Sequence, residues 1–233
     1  MIICLETATN LCSVALCDNA GVITLKETDK TKSHASTLTV FIDEILKERG
    51  IVASDLEAIA VSKGPGSYTG LRIGVSAAKG IAYAASIPLI GIETTYSMFW
   101  GISAVCRTQT DTLFCPMLDA RRMEVYYAIY DAEGKTVKNI AAEIIKEDTF
   151  SNIPESQKII FFGDGAAKCK EVINRKNAFF AEDFRISAVS MQKPVFQALA
   201  NHQFEDVAYF EPLYLKDFIT TTPRKNILGN KMA

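Results

Sequence analysis

LETATNLCSVALCDNAG (residues 5–21) and LDARRMEVYYAIYDAEG (residues 118–134) superpose without a gap. Leu5 and Leu118, Asp18 and Asp131, and Gly21 and Gly134 share one constant offset, and an acid, Glu6 or Asp119, follows each leading leucine. In both copies a short apolar strand ends at the acid, polar residues turn the chain, and a second strand leads into Asp-x-x-Gly. Two hairpins so alike point to a duplicated architecture.

Between the copies, LEAIAVSKGPGSYTGLRIGVSAAKGIAYAA (residues 56–85) reads as a buried strand, a glycine-rich turn and a helix. Gly64, Gly66 and Ser67 let backbone N–H groups approach whatever sits above the helix N-terminus, so the turn is a candidate anion or partner site, or a plain strand-to-helix turn. Gly70, Gly74, Ala78 and Ala82 follow at every fourth position, flanked by Ala77 and Ile81. Such a stripe admits a second helix at short range. With Leu38, Phe41 and Ile45 of a preceding helix it makes half of a four-helix contact with another chain, or it packs on its own sheet.

Composition narrows the function. The 233 residues are 48% hydrophobic, enough for a sizeable core. With 25 basic and 27 acidic side chains the net charge is −2, so any contact with nucleic acid needs a local patch or a partner. No apolar stretch is long enough to span a bilayer. Cys4, Cys12, Cys17, Cys106, Cys115 and Cys169 form no C-x-x-C pair and read as reduced core residues of a cytoplasmic protein. His34 and His202 are far apart, so neither a His-rich metal motif nor a nearby base for Ser67 is visible.

The pattern predicts a hairpin or meander over residues 1–27, capping at Thr31–Ser33, and a helix over 34–49 ended by Gly50. A strand at 89–92 and a helix at 94–105 complete a first half, residues 1–106. The second half, 107–216, holds the second hairpin, a poorly patterned stretch at 138–156, a strand at 158–162, a turn into a helix at GDGAAKCKEVINR, and a helix over 193–201. Residues 217–233 read as a polar tail. Strands and helices alternating after each hairpin make two α/β units around mixed sheets.

This duplicated α/β arrangement resembles the actin, hexokinase and Hsp70 superfamily, in which acids at the two hairpins hold metal and phosphates and a Gly-Gly turn holds adenosine. Thr7, Ala8 and Thr9 leave room for a phosphate behind Glu6, but Arg121, Arg122, Met123 and Glu124 fill the space behind Asp119. The two arginines either contact an anion directly or pair with Asp119 and Glu124. Gly163 and Gly165 in GDGA are the remaining candidates near a nucleotide. A small-molecule kinase or an M22-type peptidase would need an assembled site, which neither the second hairpin nor the histidines supply.

ICLETATNLCSVAL, SKGPGSYTGLRIGVSAAKGIA, LDARRMEVYYAIY and EPLYLK together resemble the TsaB family, also called YeaZ and formerly labelled M22 glycoprotease-like. The resemblance implies a non-catalytic partner of TsaD, a paralogue of the same fold that carries the metal and nucleotide. It further implies that TsaD and the ATPase TsaE place threonylcarbamoyl, made by TsaC from threonine, bicarbonate and ATP, on N6 of adenosine 37 in tRNAs reading codons that begin with A. This chain would then need no cofactor of its own, meet tRNA through the complex, pair with TsaD through the small-residue stripe, and self-associate without TsaD. Glu6 stands where the family has aspartate, one methylene longer.

Overall fold

The computed structural model describes residues 1–30, 34–106 and 111–216, so the expected cap at 31–33 and tail at 217–233 lie outside the described residues. The first half opens with β1 (Ile2–Glu6), β2 (Cys12–Asp18) and β3 (Gly21–Thr28), an antiparallel meander. Helix α1 (His34–Arg49) follows, with Leu38, Ile42 and Ile45 as its buried face, and Gly50 ends it at φ +64°. Then come β4 (Ala58–Gly64), α2 (Tyr68–Ala85) and β5 (Leu89–Glu93), which give the order β3-β2-β1-β4-β5.

After α3 (Thr94–Ser103) the pattern repeats. Strands β6 (Leu113–Asp119), β7 (Glu124–Tyr130), β8 (Thr136–Ile144), β9 (Ile159–Phe162) and β10 (Ala178–Ala181) stand in the order β10-β9-β6-β7-β8. Each sheet thus has its hairpin pair antiparallel and its later strands parallel. This is the duplicated actin-like α/β fold. The stretch with no clear pattern contains β8, a half-exposed edge strand, while the expected helix after Gly163 is only α4 (Ala166–Cys169).

Two segments trade places between the halves. Helix α3 lays Met98, Phe99 and Ile102 on Phe114, Leu118, Ala128 and Tyr130 of the second sheet. In return, a 3-10 turn at Ala188–Met191 and helix α5 (Gln192–Ala200) lay Ala188, Met191, Val195 and Ala198 on Ile2, Cys4, Ala58, Ala60 and Ile90 of the first. These segments fill the layer between the sheets. The outer faces are covered by α1 and α2 on one side and by α4 with Ile145, Phe150 and Ile153 on the other.

The stripe on α2 faces its own sheet. Gly70, Gly74, Ala78 and Ala82 are buried, and a Cβ at Gly70 or Gly74 would fall on the Thr7 carbonyl or hydroxyl oxygen. Leu38 and Ile45 are likewise fully buried in the same cluster, so these six residues are core, not partner surface. Only Phe41, Ala77 and Ile81 of the expected contact reach the outside. We expect Gly70→Ala to destabilise the monomer by about 2 kcal/mol through overpacking against backbone. Gly80→Ala, where a methyl meets nothing within 4 Å, should instead stabilise it by about 1 kcal/mol. Thermal unfolding of the two variants checks this, and equal shifts would refute the inward orientation.

Candidate functional site

In each half a glycine turn from the neighbouring parallel strand presses on the hairpin, at its turn in the first half and at the end of β6 in the second. In the first half the Ser67 N–H donates to the Ala8 carbonyl at 2.6 Å, and a Cβ at Gly66 would overlap Ala8. Ser67 caps α2 by accepting from the Gly70 N–H at 3.3 Å. Gly64, at φ +116°, faces the Leu213 carbonyl oxygen, 2.6 Å from where its Cβ would stand, and the Leu213 N–H donates to Lys63. The close approach therefore serves the chain's own backbone. Tyr214 then covers the start of α2 by stacking on Tyr68 at 4.8 Å, with Arg72 reaching its hydroxyl.

The second half has a comparable close contact at the end of β6. Gly165 donates to the Met117 carbonyl at 3.0 Å, and added methyls at Gly163 or Gly165 would strike Met117 and Leu118. Asp164 accepts the Asp119 N–H at 3.0 Å. The two glycine turns are close-approach devices of one kind, and in each an N–H, of Ser67 or of Gly165, is spent on the hairpin's own backbone.

The hairpins themselves differ by one residue, which corrects the ungapped match. Glu6 pairs with Ser13 in the first, whereas Asp119 pairs with Val125 and Leu118 with Tyr126 in the second. Leu118 is thus the counterpart of Glu6, and a one-residue slip turns a side chain to the other face. The cause is the turn at Arg121 and Arg122, which both take left-handed backbone, at φ 69° and 53°. For side chains with a Cβ this costs roughly 1–2 kcal/mol each. Asp119 consequently stands exposed, bonded to the Lys168 ammonium and to the Arg121 N–H. Partial burial raises its pKa, but those bonds outweigh that and hold it below the usual carboxylate range.

Glu6 is fully buried. Its carboxyl accepts from the Ala8 N–H at 2.7 Å and from the Ser62 hydroxyl, and among the described residues no cation pairs with it. Burial pushes its pKa up to about 7, against the opposing pull of these bonds. The carboxyl is thus held inside the protein by its own hairpin and β4.

Between the halves lies a cleft of about 210 Å³ lined by Thr9, Leu11, Met98, Leu118, Gly163 and Phe184, among others. Of the residues expected near a nucleotide only Gly163 lines it; Glu6, Gly64, Gly66, Ser67, Asp119, Arg121, Arg122 and Gly165 do not. Its volume is below the roughly 300–1,000 Å³ of small-molecule sites. A larger groove of about 1150 Å³, beside Trp100, Arg185 and Lys193, contains none of the hairpin or glycine-turn residues. No group of three or more metal-ligating side chains occurs among the described residues. Sequence reasoning missed Lys168 and the covering segment around Tyr214, whose partners are remote in sequence.

Residues 27–220 match the family model described as TsaD, tRNA N6-adenosine threonylcarbamoyltransferase. The chain belongs to this family. It is similar to proteins named TsaB, and over 63 residues to a tRNA N6-adenosine threonylcarbamoyltransferase of Bacillus anthracis at 47% identity. TsaB of Escherichia coli, a tRNA threonylcarbamoyladenosine biosynthesis protein, is 36% identical over 132 residues, 57% of this chain and 55% of that protein. TsaB of Bacillus subtilis is 27% identical over 175 residues, 74% of each. The match therefore spans about half the length of the first relative and three-quarters of the second. YeaZ from Pseudomonas aeruginosa has the same fold, with a TM-score of 0.77 at 24% identity over 92% of this chain and 99% of that one.

The buried Glu6 gives this TsaB-like chain a measurable pH dependence. An acid whose folded pKa is raised stabilises the fold below its unfolded value, near 4.5, and that stability is lost as pH rises through about 7. Wild type should lose about 3 kcal/mol relative to Glu6→Gln between pH 4.5 and 8. Urea unfolding of both proteins across that range tests it, and a stability difference that stays flat with pH would refute the buried neutral acid.

Proposed function

We propose that this chain is the TsaB-type subunit of tRNA threonylcarbamoyladenosine biosynthesis, acting by assembling with a TsaD-type transferase and supplying no reacting group itself. The observation that carries this reading is the family match over residues 27–220 on a fold whose two glycine turns are filled by the chain's own hairpins. An acid sealed in the core and an acid bonded to a lysine are poorly disposed to hold metal and phosphate between them, which supports this reading. ATP and metal then belong to TsaD and TsaE, and the transfer to adenosine 37 of tRNAs reading ANN codons takes place on the partner. The same closed geometry disfavours the kinase reading, and two isolated histidines disfavour the peptidase.

The partner surface follows from which side of α2 is left over. Ala77, Gly80, Ile81 and Ala84 stand at successive spacings of three, one and three, a helical stripe on the side away from the sheet. Gly80 and Ala84 are exposed and Ala77 and Ile81 half-buried, next to Phe41 and the 49% exposed Val40 of α1. Small side chains there allow a partner helix to come close, and an isologous copy can occupy the same face when TsaD is absent.

Gly80→Glu should leave the melting temperature of the monomer unchanged or higher, because nothing lies within 4 Å of its Cβ, yet weaken association with TsaD at least tenfold. Undiminished binding would remove this surface. The isolated chain should hydrolyse ATP far below an ordinary enzymatic rate of about 1–10 per second. Turnover at such a rate with added magnesium would overturn the non-catalytic role.

A further inference from the structure

The tip of the second hairpin displays two guanidinium groups whose natural partners are taken. Asp119 is bonded to Lys168, and Glu124 to Lys216. The other nearby carboxylates are engaged as well: Asp164 accepts the Asp119 N–H, and Glu143 holds Tyr127 and Lys138. Among the described residues, neither Arg121 nor Arg122 makes a side-chain hydrogen bond or salt bridge; Arg121 adds only a through-space attraction to Asp119. By contrast Arg49, Arg72, Arg175 and Arg185 all find partners.

The tip is also held rigidly in a conformation that arginine disfavours. Besides Asp119, Lys168 Nζ donates to the Arg122 carbonyl at 2.8 Å and the Glu124 carbonyl at 2.7 Å, tying both sides of the turn to α4. The Ala120 N–H closes the turn onto the Glu124 carbonyl at 3.1 Å. Consecutive non-glycine residues in left-handed backbone persist where surroundings over-determine them, and such outliers cluster at ligand contacts. With the backbone of the turn already fixed, only the two arginine side chains lose freedom on binding, and a guanidinium matches the oxygens of a phosphate.

We propose that Arg121 and Arg122 grip the phosphodiester backbone of the tRNA when this chain is assembled with its transferase. The proposal rests on the function read above and adds to it the surface by which this subunit meets the substrate. The arginines lie on an exposed turn outside the cleft between the halves, which suits an extended polyanion and not an enclosed mononucleotide. On a chain of net charge −2 the contact is local, so it contributes through the complex and not through general attraction.

The test is the double variant Arg121→Asn and Arg122→Asn, because asparagine accepts left-handed backbone and removes the charge without adding strain. Its melting temperature and its association with TsaD should match wild type. The affinity of the assembled pair for an unmodified, labelled tRNA reading an ANN codon should fall about tenfold, and the slope of log affinity against log salt should become shallower by about 1.5–2. Unchanged tRNA affinity and slope in an intact complex overturn the proposal. Weakened binding of ATP with magnesium alongside unchanged tRNA binding also overturns it, in favour of a nucleotide contact. Failure of the wild-type chain to associate with TsaD refutes the functional reading and this proposal with it, whereas loss of tRNA affinity alone bears only on the arginines.

Discussion

The contact on which the rest of the molecule depends is backbone against backbone. In each half the hairpin meets glycine backbone too close for any Cβ: Gly66 against Ala8 and Gly70, at the start of α2, against the Thr7 carbonyl, and Gly163 and Gly165 against Met117 and Leu118 at the end of β6. This approach seats α2 on the first sheet and fixes the ends of the strands that face each other across the cleft. It also takes up the space beside the hairpins that a phosphate would need, and with it the Ser67 and Gly165 N–H groups. The feature that makes the fold compact is thus the one that leaves it without an enclosed anion site.

Much of the fold was legible because the signals were local. The helix read at 34–49 is the helix observed, since its apolar positions recur with one period and Gly50 ends it. The hairpins were visible from their repeated pattern, and the duplicated topology followed. Strand β8 was not visible, because a half-exposed edge strand in which Lys138, Asn139 and Glu143 interrupt the apolar residues carries little apolar contrast. The one-residue difference between the hairpins was hidden for a related reason. Side chains do not record that Arg121 and Arg122 take left-handed backbone, and only that turn shows why Asp119 is not the equivalent of Glu6.

The site was legible in part. Sequence placed small residues on α2, but the helix carries two such stripes, and only the remote Thr7 decides that Gly70, Gly74 and Ala78 are the inner one. Ala77, Gly80 and Ala84 remain for the outside. The question of what Arg121 and Arg122 do likewise turned on residues far along the chain: Lys168 and Lys216 occupy the acids that would otherwise have paired with them. Burial of Glu6 required knowing that Ser62 and the Ala8 N–H converge on it.

The exchange of segments between the halves bears on how the chain acquires its structure during synthesis. Ile2, Cys4, Ala58, Ala60 and Ile90 belong to strands that leave the ribosome early, yet the residues that cover that face, Ala188 to Ala198, are made after the entire second sheet. Until then the first sheet presents a bare apolar surface, and Met98, Phe99 and Ile102 of α3 lack their apolar partners until β6 and β7 exist. Contacts so distant in sequence make for slow folding and expose nascent chains to aggregation. The two halves are therefore interdependent in biogenesis, and a fragment ending before residue 188 is a poor substitute for the first of them.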